Sequence, residues 1–146
     1  MLGVFALLAG VMLSCQPKMA PVNSVSLVGY TNAYASVKAT GYGKLEEESR
    51  RDALANAMRT ILFQGIPNAK TDIRNAIVDS KAREKSASFF DTFFRSEKYL
   101  EFFTSNQIAS SNKERGMYST VVDARLNINS LKKYLEAQGV IRGFGL

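Results

Sequence analysis

Tyr118-Ser119-Thr120-Val121-Val122-Asp123-Ala124-Arg125-Leu126-Asn127-Ile128 decides the fold class. Tyr118, Thr120, Val122, Ala124, Leu126 and Ile128 fall on one side of an extended chain, and Ser119, Val121, Asp123, Arg125 and Asn127 on the other. Successive strand side chains point to opposite faces, so this alternation predicts a half-buried β-strand. Just upstream, Gln107 to Asn112 reads as a second strand, and Lys113-Glu114-Arg115-Gly116 joins the two as a hairpin. Downstream, Asn129 or Ser130 is placed to cap a helix that buries Leu131, Tyr134 and Leu135 and stops at Gly139. The apolar tail Val140 to Leu146 is expected to lie back on the sheet.

Toward the N-terminus, Ser26 to Tyr30 and Tyr34 to Gly41 read as extended segments around a turn at Thr31-Asn32, and Gly41-Tyr42-Gly43 is expected to break the second. Ala35, Val37 and Ala39 alternate with Ser36, Lys38 and Thr40, and small inward residues predict that something bulky packs over them. Leu45 to Gln64 is the clearest helix: Glu46, Glu47 and Glu48 meet the positive end of its dipole, and Leu54, Ala57, Met58, Ile61 and Leu62 form an apolar stripe. Gly65 and Pro67 end it. Thr71 to Asp79 is either a short helix or an irregular excursion. A second helical pattern runs from about Ala82 to Thr104, and a change of phase in its apolar stripe places a break near Ser96. The order of elements predicts one α+β domain over 25–146: a small antiparallel sheet of three to four strands with two to three helices on one face.

The start of the chain addresses where the domain works. Met1 to Ser14 is an apolar run too short to span a bilayer as a helix, and it ends at Cys15, the only cysteine. Met12-Leu13-Ser14-Cys15 resembles a lipobox, which makes 1–14 a lipoprotein signal peptide and 15–24 an acylated tether, the alternative being an ordinary secretory signal with Cys15 incidental. Ser14 fits the small position, and Met12 stands where Leu or Val is usual. No Lys or Arg precedes Lys18, so a basic n-region is expected upstream of Met1. Thioether acylation also accounts for a single thiol in an oxidising compartment. Two or three acyl chains anchor stably, since each buried CH₂ contributes about 0.8 kcal/mol.

The residue inventory limits the chemistry. The chain has no histidine and one cysteine, which excludes Ser-His, Cys-His and His-ligated metal sites. Glu46-Glu47-Glu48, the only acidic cluster, reads as a solvated helix start, and Asp91 and Asp123 read as surface positions. Gly41-Tyr42-Gly43-Lys44 lacks the spacing and the hydroxyl residue of a P-loop, so no nucleotide site is expected. No catalytic residue, metal or cofactor is expected; a net charge of +6 suits anionic headgroups, acidic envelope polymers or nucleic acid, and a location outside the cytoplasm points away from the last.

Two surfaces are candidates for binding. Phe89, Phe90, Phe93, Phe94, Phe102 and Phe103 crowd into one segment. The bland reading packs them on the sheet. The sharp one notes that adjacent helical positions differ by about 100°, so one face cannot bury them all and a partner-binding or self-associating patch remains. The second surface is the basic set Lys81, Arg83, Lys85, Arg95 and Lys98, read either as solvated positions or as a face toward anionic headgroups.

The run Ala39-Thr40-Gly41-Tyr42-Gly43 and the following Asp52-Ala53-Leu54-Ala55-Asn56-Ala57 resemble a strand, G-x-G and alanine-rich helix segment. That segment occurs in the Helicobacter-type twenty-kilodalton membrane-associated lipoprotein family and in the N-terminal domain of flagellar assembly protein T. Val121 to Leu126 and Leu131 to Glu136 are similar to the closing strand and helix of both. Thr60 to Pro67 departs from that pattern and looks like uncharacterised envelope lipoproteins of the Bacteroidetes type. The resemblance implies an envelope location and a non-catalytic role in assemblies. Gln16 after the lipid-bearing Cys15 implies the outer membrane, facing the periplasm. The expected partners are the membrane, through Cys15, and an envelope protein or a second copy. The alternatives are a carboxylate-dependent hydrolase of an envelope polymer and a direct peptidoglycan or anionic-lipid binder.

Overall fold

A computed structural model describes residues 24–143 other than positions 32 and 71. The elements run as strands β1 (Val25–Tyr30) and β2 (Tyr34–Gly43), helices α1 (Glu46–Phe63), α2 (Ser80–Lys85) and α3 (Ala87–Arg95), and a 3₁₀ turn (Lys98–Phe102). Strands β3 (Phe103–Glu114) and β4 (Met117–Asn127) and helix α4 (Ile128–Ala137) follow. One antiparallel sheet in the order β1-β2-β4-β3 makes the chain an α+β protein. The leader and the tether called on 1–24 lie, up to position 23, outside the described residues.

The alternating stretch is β4, an inner strand. Val122, Ala124 and Leu126 are buried opposite Ala39, Val37 and Ala35 of β2. β3 and β4 join through Arg115 and Gly116, both at positive φ, as a tight hairpin loop whose twist matches the strands requires. The strand stops one residue before the expected Ile128, which is buried as the first residue of α4. The cap is Asn127, not Asn129 or Ser130: its Oδ1 accepts the Ser130 amide at 3.0 Å. Gly139 at φ +69 ends α4, and Val140 is buried beneath it.

The bulky object over the small inward residues of β2 is the backbone of α1. A Cβ built on Gly41 would lie 2.1 Å from the Ala53 nitrogen and 2.2 Å from the Ser49 carbonyl oxygen. One on Gly43 would lie 2.6 Å from the Ser49 nitrogen. Gly41-Tyr42-Gly43 therefore does not break the strand, which pairs with β4 through Gly43; it is where helix and strand main chains touch, and only hydrogen fits between them. Side chains complete the joint. β2 outlasts β1, whose side supplies only the Ser24 carbonyl to the Thr40 amide. Past that point the Tyr42 amide donates to Asp52 Oδ2 at 2.9 Å, and Asn56 Nδ2 donates to the Thr40 carbonyl at 3.2 Å. Two side chains of α1 thus satisfy backbone groups that β1 leaves unpaired.

The rest of the core closes around α1. Residues 72–79 form an irregular excursion rather than a helix, tied down by the Ile66 amide to the Ile73 carbonyl and the Val78 amide to the Leu62 carbonyl. The helical stretch from Ala82 to Thr104 is three pieces, broken near Ser96 where its phase shifts and also at Ser86. Asp79 caps α2, a break at Ser86 precedes α3, and Glu97 at φ 58 turns the chain into the 3₁₀ turn, so that Phe103 begins a strand. A straight helix of that span would be about 34 Å long and would carry its last phenylalanines past the core. Bending at 96–97 returns them to it.

Candidate functional site

The aromatic segment is core. Phe90, Phe93, Phe102 and Phe103 are buried, and Phe89 and Phe94 are half-buried against the same cluster. Phe93 alone has ring neighbours in Phe89, Phe90, Phe94, Tyr99, Phe102 and Tyr134. The expectation of an exposed patch is corrected by the number of partners. Phe90 meets Phe63 of α1 edge-on at 4.9 Å between centroids, while Phe89 turns toward Tyr134 of α4 at 6.1 Å. Two helices receive the two directions that one could not.

The basic set divides. Lys81 and Lys85 are exposed on α2. Lys98 donates to Glu101 at 2.6 Å and lies over the Tyr134 ring, and the Glu101 hydrogen bond holds its amine above the usual value. Arg83 and Arg95 come together with Arg59, which the sequence reading did not single out. The three line an open trough of about 540 Å³ floored by Phe63, Phe90, Phe94 and Ala87. Arg83 lies over the Phe63 ring at 4.3 Å and Arg59 over Phe94 at 4.7 Å, while Arg95 pairs with Asp91 at 2.6 Å. Arg59 and Phe63 stand four apart on α1, but each meets its stacking partner far along the chain, so no local spacing marked the trough.

A second charged group is structural. Glu47 accepts from Arg50 and Arg51, and Arg51 reaches Glu97 at 3.0 Å, tying the start of α1 to the bend after α3. The Arg50 hydrogen bond, aided by Arg51 and opposed by partial desolvation, holds the Glu47 carboxyl down to about 2. Burial, reinforced by the nearby Glu97 charge, raises the Tyr99 phenol, whose hydroxyl donates to the Arg51 carbonyl at 3.4 Å. Beneath the sheet, Ser49 Oγ bonds the Glu46 carbonyl and meets Thr120, which meets Ser111, so each buried hydroxyl is satisfied locally.

Among the described residues, the face of the sheet opposite α1 has no helix over it. Lys38 and Asp123 pair across it at 3.7 Å, half exposed, and Arg125 lies over Tyr34. Val28, the bulged residue of β1, stands 66% exposed at one side of this face. β3 closes the other side. It is an edge strand of 12 residues, most of them exposed, and among the described residues no backbone hydrogen bond reaches its outer side. Phe103 to Asn112 carries neither charge nor proline, the residues that commonly protect an edge. Bulges at Thr104 and Ala109 are its only kinks, and Ile108 beside the second is 41% exposed.

Among the described residues no group of three or more Cys, Asp or Glu side chains converges, and no helix is long and apolar enough to cross a membrane. Comparison with protein-family models, with curated proteins and with solved structures yields no match to this chain.

Proposed function

We propose that this chain is a lipid-anchored, periplasm-facing binding and assembly lipoprotein of a bacterial outer membrane that acts by docking an envelope protein, not by catalysis. The observation that carries the docking is the free side of β3. Among the described residues nothing pairs with its outer amides and carbonyls, and the surface beside them is largely exposed and carries no charge from Phe103 to Asn112. Such an edge accepts an extended segment of another chain as a further strand, with main-chain hydrogen bonds giving affinity and flanking side chains giving selectivity. The sheet order supports the arrangement. The tether leads into β1 and β3 is the opposite edge, about 14 Å away across three strand spacings. The anchor and the docking edge thus point apart.

Photocrosslinking in intact cells tests the docking. A photoreactive residue replacing Ala109 is expected to give a discrete adduct, and one replacing Lys85 on α2 none. The same diffuse adducts at both positions overturn the reading, and an adduct of twice the chain's own mass makes the occupant a second copy. The anchor has its own test. Cys15→Ser is expected to move the protein from the detergent phase to the aqueous phase on phase separation and to abolish incorporation of labelled palmitate. Unchanged partitioning and labelling would remove the anchor.

A further inference from the structure

We infer that the trough between α1 and α3 binds an anionic phospholipid headgroup together with the start of its acyl chain. This rests on the anchored reading for its lipid and on the trough's own geometry for its chemistry.

The lining is matched to a negative amphiphile. The guanidinium carbons of Arg59 and Arg83 lie 4.7 and 4.3 Å from the centroids of the Phe94 and Phe63 rings, a cation–π contact that uses up no N–H donor. Arg59 makes one long hydrogen bond, to Asn56 Oδ1 at 3.5 Å, and neither arginine makes an ion pair among the described residues. Arg95 is already matched by Asp91. Three guanidinium groups therefore face one carboxylate around a floor of Phe63, Phe90, Phe94 and Ala87. Asp79 and Glu84 stand beyond Arg83, over the adjoining hollow of Phe63 and Val78. A phosphate diester offers oxygens that fit the planar forks, and the glycerol and first methylenes of its chain fit the aromatic floor.

Position supplies the lipid. Ser24, the first described residue, lies with Val25 beside Thr60 and Gln64 on the last turns of α1. Arg59 and Phe63 of the trough occupy the neighbouring side of those same turns. The tether therefore leaves the domain next to the trough. From Ser24 to Cys15 the chain reaches about 30 Å at most, at roughly 3.3–3.6 Å per residue. A domain anchored by Cys15 is held with this end within reach of the headgroups, where each arginine near an anionic surface adds to retention.

The test uses the full chain carrying Cys15→Ser, so that acyl anchoring contributes nothing and its failure is read separately. Soluble dihexanoyl phosphatidylglycerol is titrated while backbone amide NMR shifts are followed. Saturable shifts are expected at Ala87, Phe94 and Arg59, with dihexanoyl phosphatidylcholine giving none. Arg59→Gln with Arg83→Gln is expected to weaken binding at least ten-fold. Lys81→Gln with Lys85→Gln, which removes the same charge from α2 outside the trough, is expected to leave it unchanged. Equal loss in both pairs, equal binding of the two lipids, or inorganic phosphate binding as tightly as the lipid each overturns the inference.

Discussion

Gly41→Ala is expected to remove a large part of the stability of the domain, with a cost of about 3 kcal/mol or more against a total of roughly 5–15. The added methyl would sit 2.1 Å from the Ala53 nitrogen and 2.8 Å from its Cα, atoms of a helix backbone that cannot swing aside as a side chain can. Relief requires α1 to lift from β2. That would stretch the Asp52 and Asn56 hydrogen bonds to Tyr42 and Thr40, and leave backbone groups of β2 unsatisfied at about 1–3 kcal/mol each. The control is Gly29→Ala in β1. Its Cβ would meet only Ser36 Cβ at 4.0 Å, and the change is expected to be within about 0.5 kcal/mol of neutral. Chemical denaturation of the two variants separates the cases. Equal midpoints would mean that α1 does not rest on Gly41, and the account of the small inward residues would fail with it.

The same glycine shows what could be read without coordinates. Period-two alternation in 118–127 and helical spacing in 45–64 have one dominant cause each, burial of one side, and both elements lie where their patterns place them. Small residues at Ala35, Val37 and Ala39 announced a close neighbour, yet the depth of the contact at Gly41 depends on the crossing of two elements and is not a property of either. Residues 82–104 show the converse. The phenylalanine stripe shifts phase near Ser96 and so marks the break that Glu97 makes at φ 58, but the spacing does not say which way the chain turns there or that both halves end on one core. Arg59 was illegible for a third reason. On α1 it is one more exposed cation, and it becomes part of a trough only because Phe94, far along the chain, folds beneath it. Long-range juxtaposition of this kind leaves no local trace. The free edge of β3 is in the same position: hairpin alternation predicts the strand but does not say which partner, if any, takes its other side.

Phe93→Ala is expected to cost about 3–5 kcal/mol, which for a domain of this size lowers the melting temperature by on the order of 15 °C. Phe93 is 2% exposed and occupies the centre of a ring cluster that joins α3, the 3₁₀ turn and α4. Removing it opens a cavity whose walls belong to three elements, and none can collapse without disturbing the other two. Phe94, one position on, is the sharper comparison because its ring is half-buried and faces the trough. Phe94→Ala forfeits only a part of the roughly 1.5–3 kcal/mol that full burial contributes, together with the Arg59 stacking contact. The pair distinguishes a core from a recognition surface. A core predicts that Phe93→Ala unfolds at markedly lower urea than Phe94→Ala, and that crosslinking through β3 survives in whatever fraction remains folded. A recognition surface predicts two variants of native stability that no longer capture a partner, and that result would return the aromatic segment to the outside of the molecule.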